Sequence, residues 1–140
     1  MRVAIDATPL LLRSAGVKTY TYHWIQHLRL LAGEESVRAF PFLGKLSGYS
    51  HEVSVAGRLG TLGRLAFLHA ANYSRLPMLD WIERRVDVFH ACHVLRNPPR
   101  RTHVTATIYD MTCWLAPETH SARNVQAVKR FAETDRKSVV

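Results

Sequence analysis

Arg2-Val3-Ala4-Ile5-Asp6, almost at the start of the chain, is a short apolar run that stops at a carboxylate. It reads as a buried strand rather than a helix. The pattern returns twice: Val88-Phe89 runs into His90, and Ala106-Thr107-Ile108 runs into Tyr109-Asp110. Helical periodicity fills much of the space between. After a loop over residues 7–15, Gly16 opens a helix in which Val17, Tyr20, Trp24, Leu28 and Leu31 share one face. Gly33 suits its stop, where a left-handed residue often closes a helix.

The remaining elements follow from the same patterns. Residues 37–43 predict a second strand, with Val37, Ala39 and Pro41 on one side and Arg38, Phe40 and Phe42 on the other. Pro41 removes a backbone donor, which places that strand near an edge or ends it early. Residues 44–63 are weakly patterned and hold Gly44, Gly48, Gly57 and Gly60, with a short strand expected at 51–56. Residues 62–71 predict a helix with Leu62, Leu65, Ala66 and His69 at helical spacing, and Pro77 opens a short one carrying Met78, Trp81 and Ile82. Strands are expected at 86–89 and 103–108, and a final helix runs from a Ser121 cap to about Lys137, with Val125, Val128 and Phe131 or Ala132 inward. Strands alternating with helices predict a Rossmann-like α/β domain: three layers, a mostly parallel sheet, one domain over residues 1–140.

In a parallel sheet the strand C-termini share one edge, and ligands bind in the crevice beyond it. Asp6, His90, Tyr109 and Asp110 are therefore candidates to converge, although strand ends also turn polar simply on reaching water. Gly16 places a helix N-terminus after the first strand, where free amides and the positive dipole end suit a phosphate. Lys18 would add a charge there. The G-x-G-x-x-G fingerprint of dehydrogenases is missing.

The formal net charge is +8, from 19 Lys and Arg against 11 Asp and Glu. The excess favours acidic partners, or is a solvated basic surface. Arg96, Arg100 and Arg101 fall on one proline-containing loop, with Arg84 and Arg85 just upstream. They form a candidate patch for phosphate or an anionic membrane surface. No nucleic-acid-binding signature is visible, so no nucleic-acid partner is expected. Cys92 and Cys113 make no disulfide framework and fit a cytoplasmic setting. With His90 and His93 they match no familiar zinc spacing and serve equally well as small buried hydrophobes, so no metal is expected. No run approaches the roughly 20 apolar residues of a membrane span, and the N-terminus lacks the apolar core of a signal peptide. Any membrane contact would be peripheral.

Several of these segments, in this order, resemble family 4 glycosyltransferases of the GT-B fold. Residues 1–11, followed by Ala15-Gly16-Val17-Lys18-Thr19-Tyr20-Thr21, are similar to the family's first strand, glycine loop and "GxxxYT"-like helix start. Asp87-Val88-Phe89-His90 resembles a "DVFH" strand, Thr107-Ile108-Tyr109-Asp110-Met111 a "TIHDL" strand with tyrosine for histidine, and Pro117-Glu118-Thr119-His120 a "P-E-x-H" turn. The resemblance implies the acceptor-side half of an enzyme that moves sugar from a nucleotide-sugar to a lipid-linked or polysaccharide acceptor, with no further cofactor. It implies that Gly16, Val17 and Lys18 approach the donor diphosphate and that Asp6, His90, Tyr109 and Asp110 face sugar and acceptor. It also implies a second, donor-binding domain that these 140 residues lack. By that reading the chain is a fragment, a truncated product or one part of a split enzyme, incomplete for catalysis alone. The rival reading is a non-catalytic module that binds a partner or an anionic membrane.

Overall fold

A computed structural model describes residues 1–46, 48–74, 76–82 and 85–136, without the side chains of 82 and 134–136. Arg84 and Lys137, both invoked above, lie outside the described residues.

Four strands, β1 (Val3–Asp6), β2 (Val37–Phe40), β3 (Val88–Ala91) and β4 (His103–Ala106), form one sheet in the order β2-β1-β3-β4. Every pairing is parallel. The register sets Ile5 beside Ala39 and His90, and His90 beside Thr105, so Asp6, His90 and the residues after Ala106 emerge at one edge. The Arg2 amide donates to the Asp87 carboxylate at 2.7 Å and fixes the opposite edge. As expected of a proline-bearing strand, β2 lies at the rim, and it stops at Phe40. Pro41 cannot extend the ladder, and the Leu43 amide turns back onto the Ala39 carbonyl at 2.8 Å.

Helices cover both faces. Side chains alternate along a strand, so Phe89 and His90 point to opposite sides. On the His90 side lies α1 (Gly16–Ala32), whose Trp24 ring meets the His90 ring at 4.5 Å. On the Phe89 side lies α2 (Gly57–Tyr73), whose Phe67 meets Phe40 at 6.0 Å while Phe40 meets Phe89 at 5.5 Å. The short α3 (Met78–Ile82) and α4 (Thr112–Leu115) and the longer α5 (Ala122–Arg136) complete the chain. The result is the three-layer Rossmann-like α/β fold.

Three expectations need correction. Residues 51–56 form no strand, because their backbone is engaged elsewhere: the Val53 carbonyl accepts from Lys18 and the Val55 amide donates to Leu10. The second helix begins at Gly57, and both long helices bury a different face from the one expected. In α1 the buried residues are Lys18, Thr21 and Ile25, and Leu31 is 84% exposed. In α2 they are Leu68 and Ala71, and Leu62 is 68% exposed. The last helix does follow its expected face, with Phe131 buried, Val125 and Val128 half-buried, and the Ser121 hydroxyl accepting from the Asn124 amide at its start.

Candidate functional site

Beyond Asp6 the chain makes a tight turn in which the Asp6 Oδ1 accepts from both the amide and the hydroxyl of Thr8. The carboxylate is wholly buried, and its Oδ2 has no partner that meets hydrogen-bond geometry. Burial raises the Asp6 pKa. The Thr8 bonds, the nearby His93 and the Cys92 amide pull the other way without cancelling it.

Gly16, Val17 and Lys18 form the first turn of α1, whose leading amides are free of helical partners. A side chain at Gly16 would meet nothing within 4 Å, so the backbone is open to approach there. Val17 lines a cleft of about 490 Å³ at this edge. Lys18 does not reach it. Its ammonium is 0% exposed and donates to the carbonyls of Leu12 at 3.0 Å and Val53 at 2.9 Å. That burial lowers its pKa. The positive side chain at this cleft is instead Arg13, which also pairs with Glu52 at 3.3 Å.

Tyr109 and Asp110 wall the same cleft together with Cys92, Thr107 and His120. The Tyr109 ring sits edge-on to Tyr20 at 5.7 Å, and partial burial pushes its hydroxyl well above the ordinary tyrosine range. Asp110 is exposed and turned to its own chain. The Thr112 amide donates to Oδ1 at 2.7 Å and the Thr112 hydroxyl to Oδ2 at 2.9 Å, holding the carboxyl below its usual range. The Thr112 hydroxyl also pairs with His120 Nε2 at 2.7 Å. Burial pushes the Cys92 thiol up to about 11, so it is protonated at neutral pH and unsuited to nucleophilic attack.

His90 lines neither this cleft nor the next. Its two ring nitrogens pair with Thr105 Oγ1 at 2.8 Å and Thr107 Oγ1 at 2.9 Å, on the α1 side of the sheet. Asp6 and Thr8 line a second cleft of about 680 Å³ with Asn72, Arg96, Arg123 and Asn124. The two clefts share Leu12, His93, Val94 and Asn124 and are therefore adjacent. Arg100 and Arg101 do not join Arg96. Their amides donate to Asp80 Oδ1, and neither lines the second cleft, whereas the Arg96 amide donates to Asn72 Oδ1.

Sequence reasoning missed Arg13, Thr8, Arg123 and Asn124. Three had a local signal: Asp-x-Thr is a turn-forming pattern that marks Thr8, and a Ser121 cap puts residues 123 and 124 on the first exposed turn of the last helix. Among the described residues, no helix is long and apolar enough to cross a membrane. Compared with protein-family models, curated proteins and solved structures, the chain matches none.

Proposed function

We propose that this domain is the acceptor-side half of a glycosyltransferase that moves a sugar from a nucleotide-sugar to a lipid-linked or polysaccharide acceptor. In this reading it works in the cytoplasm, opposite a second domain that holds the donor nucleotide. The observation that carries the proposal is the shared wall of one cleft. Val17, from the first turn of α1, and Arg13, from the loop before it, line the cleft with Tyr109 and Asp110 from beyond the end of β4, and the backbone of the neighbouring Gly16 is open. A helix N-terminus with an adjacent guanidinium is suited to a diphosphate, and a half-buried phenol beside it to a sugar hydroxyl. The cleft volume is in the usual range for a small-molecule site.

The test is a titration of the chain with UDP-glucose and GDP-mannose, followed by amide NMR. One wall alone gives weak binding, with shifts centred on Val17 and Tyr109 and no turnover. Gly16→Val should keep the fold, since a Cβ there meets nothing, and should abolish those shifts by blocking approach to the backbone. Shifts that are absent, or unchanged in Gly16→Val, would count against the proposal.

A further inference from the structure

The second cleft is built for a different chemistry from the first. Arg96 is held in place from two sides. Its guanidinium lies 4.6 Å from the Tyr73 ring centroid, and its amide donates to Asn72 Oδ1 at 3.1 Å. The next residue, Asn97, fastens this segment to the end of α2, its Nδ2 lying 2.8–3.3 Å from the carbonyls of Ala71, Asn72 and Ser74. Across the cleft stands the first turn of α5, with Ser121, Arg123 and Asn124 in its lining. Among the described residues, neither Arg96 nor Arg123 has a carboxylate partner. Asp6 also lines the cleft, wholly buried, with no hydrogen-bond partner for Oδ2. Two cations, a helix start and a carboxylate oxygen without a hydrogen-bond partner line one cleft, and together they call for a ligand carrying both an anion and a hydroxyl.

We propose that this cleft binds a phosphate ester of a sugar or polyol, with its phosphate on Arg96, Arg123 and the start of α5 and a hydroxyl donating to Asp6 Oδ2. A phosphate alone would leave Oδ2 unpaired, and a neutral sugar would leave the guanidinium groups unpaired. As a statement about the acceptor, the proposal rests on the transferase reading above. The binding itself needs no nucleotide-sugar.

Calorimetry on the chain with glucose 6-phosphate, methyl phosphate and inorganic phosphate tests it, alongside sedimentation with phosphatidylinositol vesicles. Glucose 6-phosphate should bind more tightly than either small phosphate. Arg123→Glu, at an exposed position, should weaken all phosphate binding about tenfold or more. Asp6→Asn should leave inorganic phosphate binding intact and remove the advantage of the sugar ester. If that buried variant does not fold, the comparison of glucose 6-phosphate with methyl phosphate on the unaltered chain asks the same question from the ligand side. Vesicle binding that depends on Arg123, without glucose 6-phosphate binding, assigns the ester to a lipid headgroup; glucose 6-phosphate binding assigns it to a soluble ligand. Failure of both, insensitivity to Arg123→Glu, or equal affinity for glucose and methyl phosphates overturns the proposal. None of these arms contains a nucleotide-sugar, so a failure here leaves the Gly16 titration standing, and the reverse.

Discussion

The helices α1 and α2 are the same length, 17 residues, and both begin at a glycine, yet they cover opposite faces of the sheet and anchor neighbouring loops with different cations. In α1 the buried stripe runs Lys18, Thr21, Ile25, one position later than a count of apolar residues indicates. In α2 it runs through Leu68 and Ala71, with Arg64 half-buried on the same side, one position earlier than that count. Each helix carries a basic side chain that turns inward to hold loop carbonyls. Lys18 holds Leu12 and Val53, and Arg64 holds Pro41 and Phe42, both at 3.0 Å. A long cation looks like solvent-facing charge in a sequence. When it anchors loops, it rotates the inferred face by about 100°.

The largest expected effect tests the faces themselves. Ile25→Ala and Leu68→Ala should each cost about 2–5 kcal/mol of stability in denaturant melts. Ile25 should cost more, because it is completely enclosed while Leu68 keeps a sliver of exposure. Near-neutral results at both would mean that the helices pack on the faces the apolar count suggests.

The two cations come next. Lys18→Met keeps the length of the side chain but strips two buried carbonyls of their donor, and should cost about 1–3 kcal/mol. Arg64→Met should cost about 1 kcal/mol, because water can reach that half-buried site. Titration separates the pair. Burial holds the Lys18 pKa below its ordinary 10.5. Between that lowered value and the ordinary one, the folded chain has released a proton that the unfolded chain still binds, so this group makes stability rise with pH across the alkaline window. The denaturation midpoint of the unaltered chain, relative to Lys18→Met, should therefore climb as pH approaches about 10. Arg64→Met should show no such difference, since arginine does not titrate there.

These faces mark the limit of what the sequence reveals. Three apolar runs ending in Asp6, His90 and Asp110 were enough to place parallel strands and their common edge, because strand ends have a one-dimensional signature. Gly16 and Gly33 marked α1 because one opens it and the other, at φ 89°, closes it. The start of α2 was hidden, because Gly57, Gly60 and Gly63 look like loop residues and the helix runs through them. The clefts were half visible. Tyr109 and Asp110 were legible as strand-end residues and Arg123 was within reach of the Ser121 cap, whereas Arg13 enters through a loop whose direction no spacing encodes. Lys18 was legible as a charge near a helix start, but nothing local shows that two carbonyls from distant loops would enclose it.

Smaller effects refine the contrast between the helices. Gly63→Ala should stabilise by about 0.5–1 kcal/mol, since it is a helix-interior glycine whose added Cβ meets nothing within 4 Å. No matching gain is available inside α1, which has no glycine after its first residue. Smallest of all, Leu31→Gln and Leu62→Gln should change the melting midpoint by no more than about 0.5 kcal/mol in stability, because both side chains project into solvent. A loss of several times that amount at either leucine would restore the face inferred from the apolar count.

The central place of β1 has a consequence for how the chain is made. Of the four strands it is made first, yet its two neighbours are β2 and the much later β3. The bond from Arg2 to Asp87 spans 85 residues. At roughly 5–20 residues per second, synthesis of that interval takes on the order of 4–17 s. Ala4 and Ile5, which have no exposure in the finished fold, gain their second strand partner only after that interval. Closure of the sheet around β1 therefore waits on residues made much later in the chain.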